Sequence, residues 1–138
     1  MRILGLDVGT KRIGVAMSDE LMITAQGLDS IERKNLKSDL GDIERLIKEF
    51  GVYEVVVGLP INMDGTYSAK TKEVIEFLDD LMEIVKIPVK TWDERLTSVQ
   101  AERVLLEADM SRAKRKRLSD KLAAQLILQT YLNSRGKG

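Results

Sequence analysis

The chain of 138 residues has no cysteine and no histidine, only two prolines, and one Trp, three Tyr and two Phe as its whole aromatic complement. Without cysteine there is no disulfide scaffold, no thiol nucleophile and no thiolate zinc site. Without histidine there is no imidazole base, so Ser-His-Asp chemistry is excluded as well. The scarcity of aromatics argues against a dedicated single-strand stacking platform. No apolar run is long enough to cross a bilayer, and Met1-Arg2-Ile3-Leu4-Gly5-Leu6-Asp7 reaches an acid too soon for a secretory leader, so a cytoplasmic protein with no membrane partner is expected. Neither charge dominates: 22 Lys and Arg balance 22 Asp and Glu. Chemistry is left to carboxylates, hydroxyls, Lys, Arg or a metal. With 43% hydrophobic residues over this length, the expectation is one compact domain spanning 1–138.

Charge is nevertheless sorted along the chain. Arg112 to Lys121 holds six bases against one acid, whereas Glu73 to Glu83 holds five acids and no base. A solvated helix face explains either run taken alone. The basic run, which includes Arg115 and Lys116, immediately precedes Asp120, and that adjacency points it at a nucleic-acid backbone.

Apolar patterning predicts strands over 2–7 and 13–17, joined by a short polar turn as a hairpin, and a weaker strand over 22–28. Leu36, Leu40, Ile43, Leu46, Ile47 and Phe50 form a helical stripe that Gly51 stops, predicting a helix over 38–50. A β-branched run, 53–59, reads as a central strand covered on both faces and ends at Pro60. The turn-rich 62–66 follows, where Asn62 is structural punctuation before it is a substrate amide. Val74, Phe77, Leu78, Leu81 and Val85 then mark a second helix. A strand over 87–92 delivers Asp93 and Glu94; its Trp92 reads as core rather than as a stacking ring. Thr97 and Gln100 predict a capped third helix burying Val104, Leu105 and Ala108, and Leu118, Leu122, Ala123, Leu126 and Ile127 define a last one, fraying near Ser134. The order β-β-β-α-β-α-β-α-α is a mixed α/β sheet, with the fourth and fifth strands parallel to the first.

Asp7 and Glu94 each stand at the C-terminal end of a strand, where open α/β sheets place their ligands. Asp120 falls on the inward side of the last helix, with Ala123, Ala124 and Ile127. An acid there needs a cation, either a base such as Lys121, Arg12 or Arg95, or a divalent metal. Three carboxylates with no histidine make an oxygen-only site suited to Mg²⁺ or Mn²⁺ rather than zinc. Two such ions about 3.5–4 Å apart would support phosphodiester hydrolysis. Gly9-Thr10-Lys11-Arg12 permits close backbone approach to a phosphate beside Asp7, and Gly14 permits the same on the second strand. Arg95 either holds a phosphate or pairs with Asp93; substrate contact is the favoured alternative.

Taken in order, Asp7-Val8-Gly9-Thr10-Lys11-Arg12-Ile13-Gly14-Val15-Ala16, Ser18-Asp19, Gly58-Leu59-Pro60, Asn62-Met63-Asp64-Gly65-Thr66, Trp92-Asp93-Glu94-Arg95-Leu96-Thr97 and Asp120-Lys121-Leu122-Ala123-Ala124 resemble the YqgF (RuvX) family over essentially the whole chain. Tyr67-Ser68 departs from the acidic residue and glycine that many members carry there, which touches loop detail only. The resemblance implies a ribonuclease H-like fold with a five-stranded mixed sheet, and Asp7, Glu94 and Asp120 as a metal-binding triad. It further implies a nuclease maturing the 5′ end of 16S ribosomal RNA, or a Holliday junction resolvase. Lys11, Arg12 and Arg95 would then hold substrate phosphates. The partners expected are precursor rRNA or branched DNA and ribosomal particles, with the chain a monomer or a homodimer. A non-catalytic ribosome-associated RNA-binding factor is the rival. Asp-x-Gly-Thr also resembles the phosphate turn of the actin and sugar-kinase superfamily, but those proteins close two such domains around ATP.

Overall fold

The computed structural model describes residues 1–95 and 112–135, with the helix backbone alone over 112–120. The expected helix with Val104, Leu105 and Ala108 lies outside the described residues. The strands are β1 (Arg2–Val8), β2 (Arg12–Ser18), β3 (Ala25–Glu32), β4 (Val52–Leu59) and β5 (Val89–Asp93). The described helices are α1 (Leu36–Phe50), α2 (Ala69–Ile84) and a long α3 (Arg112–Arg135).

The five strands form one sheet in the order β3-β2-β1-β4-β5. β1 pairs antiparallel with β2 and parallel with β4, and β5 lies parallel to β4, as the crossovers require. Several boundaries differ from expectation. β3 begins at Ala25 rather than at 22, because the Asp19 carboxylate accepts hydrogen bonds from the backbone N–H groups of Ile23 (2.7 Å) and Thr24 (3.0 Å) and ties 19–24 into a turn. α3 begins at Arg112, not near Leu118, so the basic run is helical. α1 starts two residues early, its Asn35 side chain accepting from the Ser38 N–H, and ends on Gly51 at φ 61°.

Strand alternation divides the sheet into unlike faces. Leu4, Leu6, Val8, Ile13, Val15, Val55 and Val57 pack with Ile43, Val74, Phe77, Leu78 and Leu81 under α1 and α2. The opposite face is built from smaller residues and receives α3 alone among the described helices: Ile3, Ala16 and Val56 meet Ala124, Leu128, Tyr131 and Leu132. A Cβ on Gly5 would stand 2.9 Å from that of Leu128, and one on Gly27 would stand 3.2 Å from the Lys121 carbonyl oxygen. Small residues therefore set how closely α3 lies on the sheet. Lys121 lies over Gly27 and Arg135 reaches Tyr53 at the start of β4, so α3 runs opposite to β1. Its N-terminal turns lie toward the sheet end where β1 finishes.

Candidate active site

Asp7 is the penultimate residue of β1, in register with Gly14 of β2, and alternation puts it on the α3 face with Ile3 and Gly5. Glu94 is the first residue past β5, and its backbone N–H donates to the Leu59 carbonyl at 3.2 Å. β4 separates the two strands. Gly58 is what lets the carboxyls meet across it: a Cβ there would lie 2.8 Å from both Cγ and Cδ of Glu94 and 2.5 Å from Cδ1 of Ile127. The Glu94 side chain thus fills the space that Gly58 leaves under α3.

Burial, then the charge of Asp7, then a hydrogen bond with it push the Glu94 carboxyl up to about 9, and Lys70 opposes the shift. Lys70 comes from the first turn of α2, where Ser68 and Thr71 form a capping box, and its Nζ donates to Thr10 Oγ1 at 3.3 Å. Sequence reasoning missed this lysine. The Ser68-x-x-Thr71 start after the 62–66 turn was the available signal, since it fixes a helix N-terminus at the end of β4.

The turn beside the acids is tight. The Gly9 N–H donates to the Arg12 carbonyl at 2.8 Å, and a Cβ on Gly9 would stand 2.6 Å from that oxygen. Arg33 braces the turn, donating to the Gly9 carbonyl at 3.0 Å and to the buried Asp39 carboxylate at 3.1 Å. Lys11 is exposed, with no ion-pair partner among the described residues. Arg12 pairs with Glu32 at 2.8 Å across the β2–β3 register. Arg95 folds back on Asp93 at 2.6 Å and holds that carboxyl below its usual range, so of its two expected contacts the pairing with Asp93 is the one formed.

Asp120 lies on α3 next to Lys121, whose Nζ pairs with Asp29 at 2.9 Å. The side chains of Asp120, Arg115 and Lys116 lie outside the description, so the acids brought together here are Asp7 and Glu94. Asn62 is committed to its own turn, with its N–H donating to the Thr66 carbonyl and its amide to Thr66 Oγ1, each at 3.0 Å. Trp92 is half-buried, edge-on to Tyr131 at 5.7 Å, in agreement with packing.

Among the described residues, two facing carboxyls, with no imidazole or thiolate in the chain, fit a hard divalent cation. A cation between Asp7 and Glu94 would oppose the repulsion that, after burial, raises the Glu94 carboxyl.

A family model described as "RuvX: Holliday junction resolvase" matches residues 1–134. A relative from Syntrophomonas wolfei is 55% identical over 138 residues, 100% of this chain and 98% of its own length. One from Clostridium novyi is 52% identical over 134 residues, 97% of this chain and 99% of its own. Both are named "Putative pre-16S rRNA nuclease". Among solved structures, Thermus thermophilus RuvC in complex with a Holliday junction substrate superposes with a TM-score of 0.63 at 17% identity, covering 99% of this chain and 96% of that one. The fowlpox virus resolvase, also with junction DNA, gives 0.61 at 13%, covering 98% and 99%. At those identities the likeness is one of fold, the ribonuclease H-like sheet. With its full-length matches and this sheet order, the chain belongs to the RuvX family.

Proposed function

We propose that this chain is a metal-dependent nuclease that hydrolyses phosphodiester bonds in maturing the 5′ end of precursor 16S rRNA, working in the cytoplasm as one domain of 1–138. The observation that carries the reading is Glu94, half-buried against Asp7 across Gly58, so that two carboxyls meet at the ends of β1 and β5. Its relatives' names supply the RNA.

In this reading Asp7, Glu94 and Asp120 would together hold the divalent cations. Bound Mg²⁺ or Mn²⁺ would supply activation of the attacking water and neutralise charge on the leaving oxygen. Lys11 and Arg12 hold the phosphate at the Gly9 turn, and Lys70 joins them from α2. Arg95 takes a neighbouring phosphate when it exchanges Asp93 for substrate. Arg115 and Lys116, on the same helix as Asp120, run along the backbone of the polynucleotide and fix its register. In-line attack leaves a 5′-phosphate and a 3′-hydroxyl.

The test is cleavage of labelled precursor 16S RNA, free and in ribosomal particles, and of four-way DNA junctions, with Mg²⁺ or Mn²⁺. Wild type should cut the RNA, and Asp7→Asn should lower turnover about a thousandfold or more while RNA still binds. Equal cleavage by both proteins defeats the assignment. Cutting of junctions alone moves the substrate to branched DNA, where two active sites must face symmetric strands and a homodimer is required. RNA bound and never cut leaves a non-catalytic binding factor.

A further inference from the structure

Away from the acids, at the opposite end of the same face, the buried Glu54 carboxylate accepts a hydrogen bond from the Tyr131 hydroxyl. Lys90 Nζ stands 3.5 Å from it and Arg135 Nη2 stands 4.0 Å from it. Two cations attend one anion, leaving one positive charge in excess, and both reach water: Lys90 is 58% exposed and Arg135 36%. A structural tie between α3 and β4 needs only one of them.

Aromatics gather at the same place. The Arg135 guanidinium lies 5.8 Å over the Tyr53 ring and 6.0 Å from that of Tyr131. Trp92 meets Tyr131 edge-on. Two of the six aromatic residues in the chain, Tyr53 and the buried Tyr131, therefore lie against the Arg135 guanidinium, and the half-buried Trp92 adjoins them through Tyr131. That pairing is the chemistry of unpaired polynucleotide, whose phosphates want cations and whose bases want rings or guanidinium planes.

Strand alternation puts Lys90, Trp92 and Glu94 on one face of the edge strand β5, so the cluster and the acid pair are two ends of one row. Four residues at about 3.3 Å each separate the ends by roughly 13 Å, close to four nucleotide steps at about 3.4 Å per stacked nucleotide.

We propose that the row from Glu94 through Trp92 to Lys90, flanked by Tyr53 and Arg135, is a track for a single-stranded polynucleotide flank leading away from the cleavage site. The inference rests on the nuclease reading above and adds to it where the unpaired strand lies.

The experiment uses the full chain carrying Asp7→Asn, so that substrate is held and not cut, with and without Lys90→Gln plus Arg135→Gln. Probes are an RNA hairpin with flush ends, the same hairpin with an eight-nucleotide extension, and their DNA counterparts, each across a salt series. The extension should tighten binding about tenfold. The double variant should lose that gain and lower the salt slope by about 1.4, or 0.7 for each single-strand phosphate contact removed. It should bind the flush hairpin unchanged. Trp92 is the sole tryptophan, so its emission in the otherwise unaltered strip should change with the extended probe and not with the flush one, a reading that stands even if the double variant fails to fold. An extension that adds no affinity, or a gain that survives the double variant, overturns the track. A gain shared by DNA supports recognition of backbone and base planes, and a gain confined to RNA supports a 2′-hydroxyl contact. If the double variant loses nothing while unmutated chain cleaves precursor RNA, the track alone fails; if no polynucleotide binds, the nuclease reading fails with it.

Discussion

Glu54 and Glu94 are two carboxyls withdrawn from water on the α3 face of the sheet, one at each end, and their surroundings differ in kind. Glu54 has a hydroxyl and two cations within reach. Glu94 shares a hydrogen bond with a second carboxyl, Asp7, whose charge raises it while that of Lys70 lowers it. A buried acid is tolerable when its charge is met and costly when it is not. The first arrangement fastens α3 to β4; the second sets one carboxyl against another. What separates the two ends is the charge that faces each acid, cations at Glu54 and a second carboxyl at Glu94.

The widest separation between the two ends should come from removing each charge in turn. The Glu94 carboxyl is pushed up to about 9 from 4.5. A raised carboxyl contributes stability that is complete below its unfolded value and is lost as pH climbs through the folded one. In metal-free buffer the wild type should therefore weaken from pH 4.5 upward, by about 3 kcal/mol at pH 7 at 1.36 kcal/mol per pH unit. Glu94→Gln should flatten that slope, raise the melting temperature at pH 8 and abolish cleavage. Glu54→Gln should lower the melting temperature, costing about 1–3 kcal/mol through the weakened buried hydrogen bonds, with cleavage retained. Thermal melts of the three proteins in chelator across this range decide the matter. If the two substitutions move stability in the same direction at pH 8, the contrast between the ends is wrong.

A smaller effect isolates geometry from charge. Gly58→Ala alters no titratable group, yet its methyl would enter the space held by Glu94 and by Ile127 Cδ1. Cleavage should fall about a hundredfold because the carboxyl is displaced by roughly an ångström, with a stability cost of about 1–3 kcal/mol from overpacking under α3. Gly41 has no heavy atom within 4 Å of its would-be Cβ, so Gly41→Ala serves as the control and should leave cleavage intact. Full activity in Gly58→Ala would mean that Glu94 need not lie across β4.

Much of this was legible in the chain because it is local. The hairpin, the parallel β4 and the strand-end positions of Asp7 and Glu94 follow from alternation and from turn residues within a few positions of one another. The compensated end was not legible, because Tyr131 is 77 residues from Glu54 and one acid near the start of an apolar strand carries no sign of its partner. Gly58 carries no local signal of its role, because its meaning lies in Glu94, delivered by the neighbouring strand. Lys70 was hidden for a related reason: capping residues reveal where α2 starts, but only the sheet order brings that start to the Asp7 turn. The late start of β3 was missed because the Asp19 side chain replaces ladder hydrogen bonds with local ones, a competition that hydrophobic pattern does not register.

The subtlest expectation concerns exposed acids, for which the two ends should behave alike. Asp19 lies by the Glu54 end, its carboxyl lowered by the backbone N–H groups of Thr24 and Ile23. Asp64 lies by the acid-pair end, lowered by the hydroxyl and then the N–H of Thr66. Both are in water, where the medium screens any difference between the ends. A lowered carboxyl adds stability that is present above its unfolded value, near 3.8, and is lost as pH falls through the folded one. Asp19→Asn and Asp64→Asn should each make the acid limb of the melting profile slightly shallower, by similar amounts, and leave the limb above pH 5 untouched. A change in that upper limb caused by Asp64→Asn would show that the loop acid is coupled to Glu94, and the frustrated charge would then extend beyond the pair into the 62–66 turn.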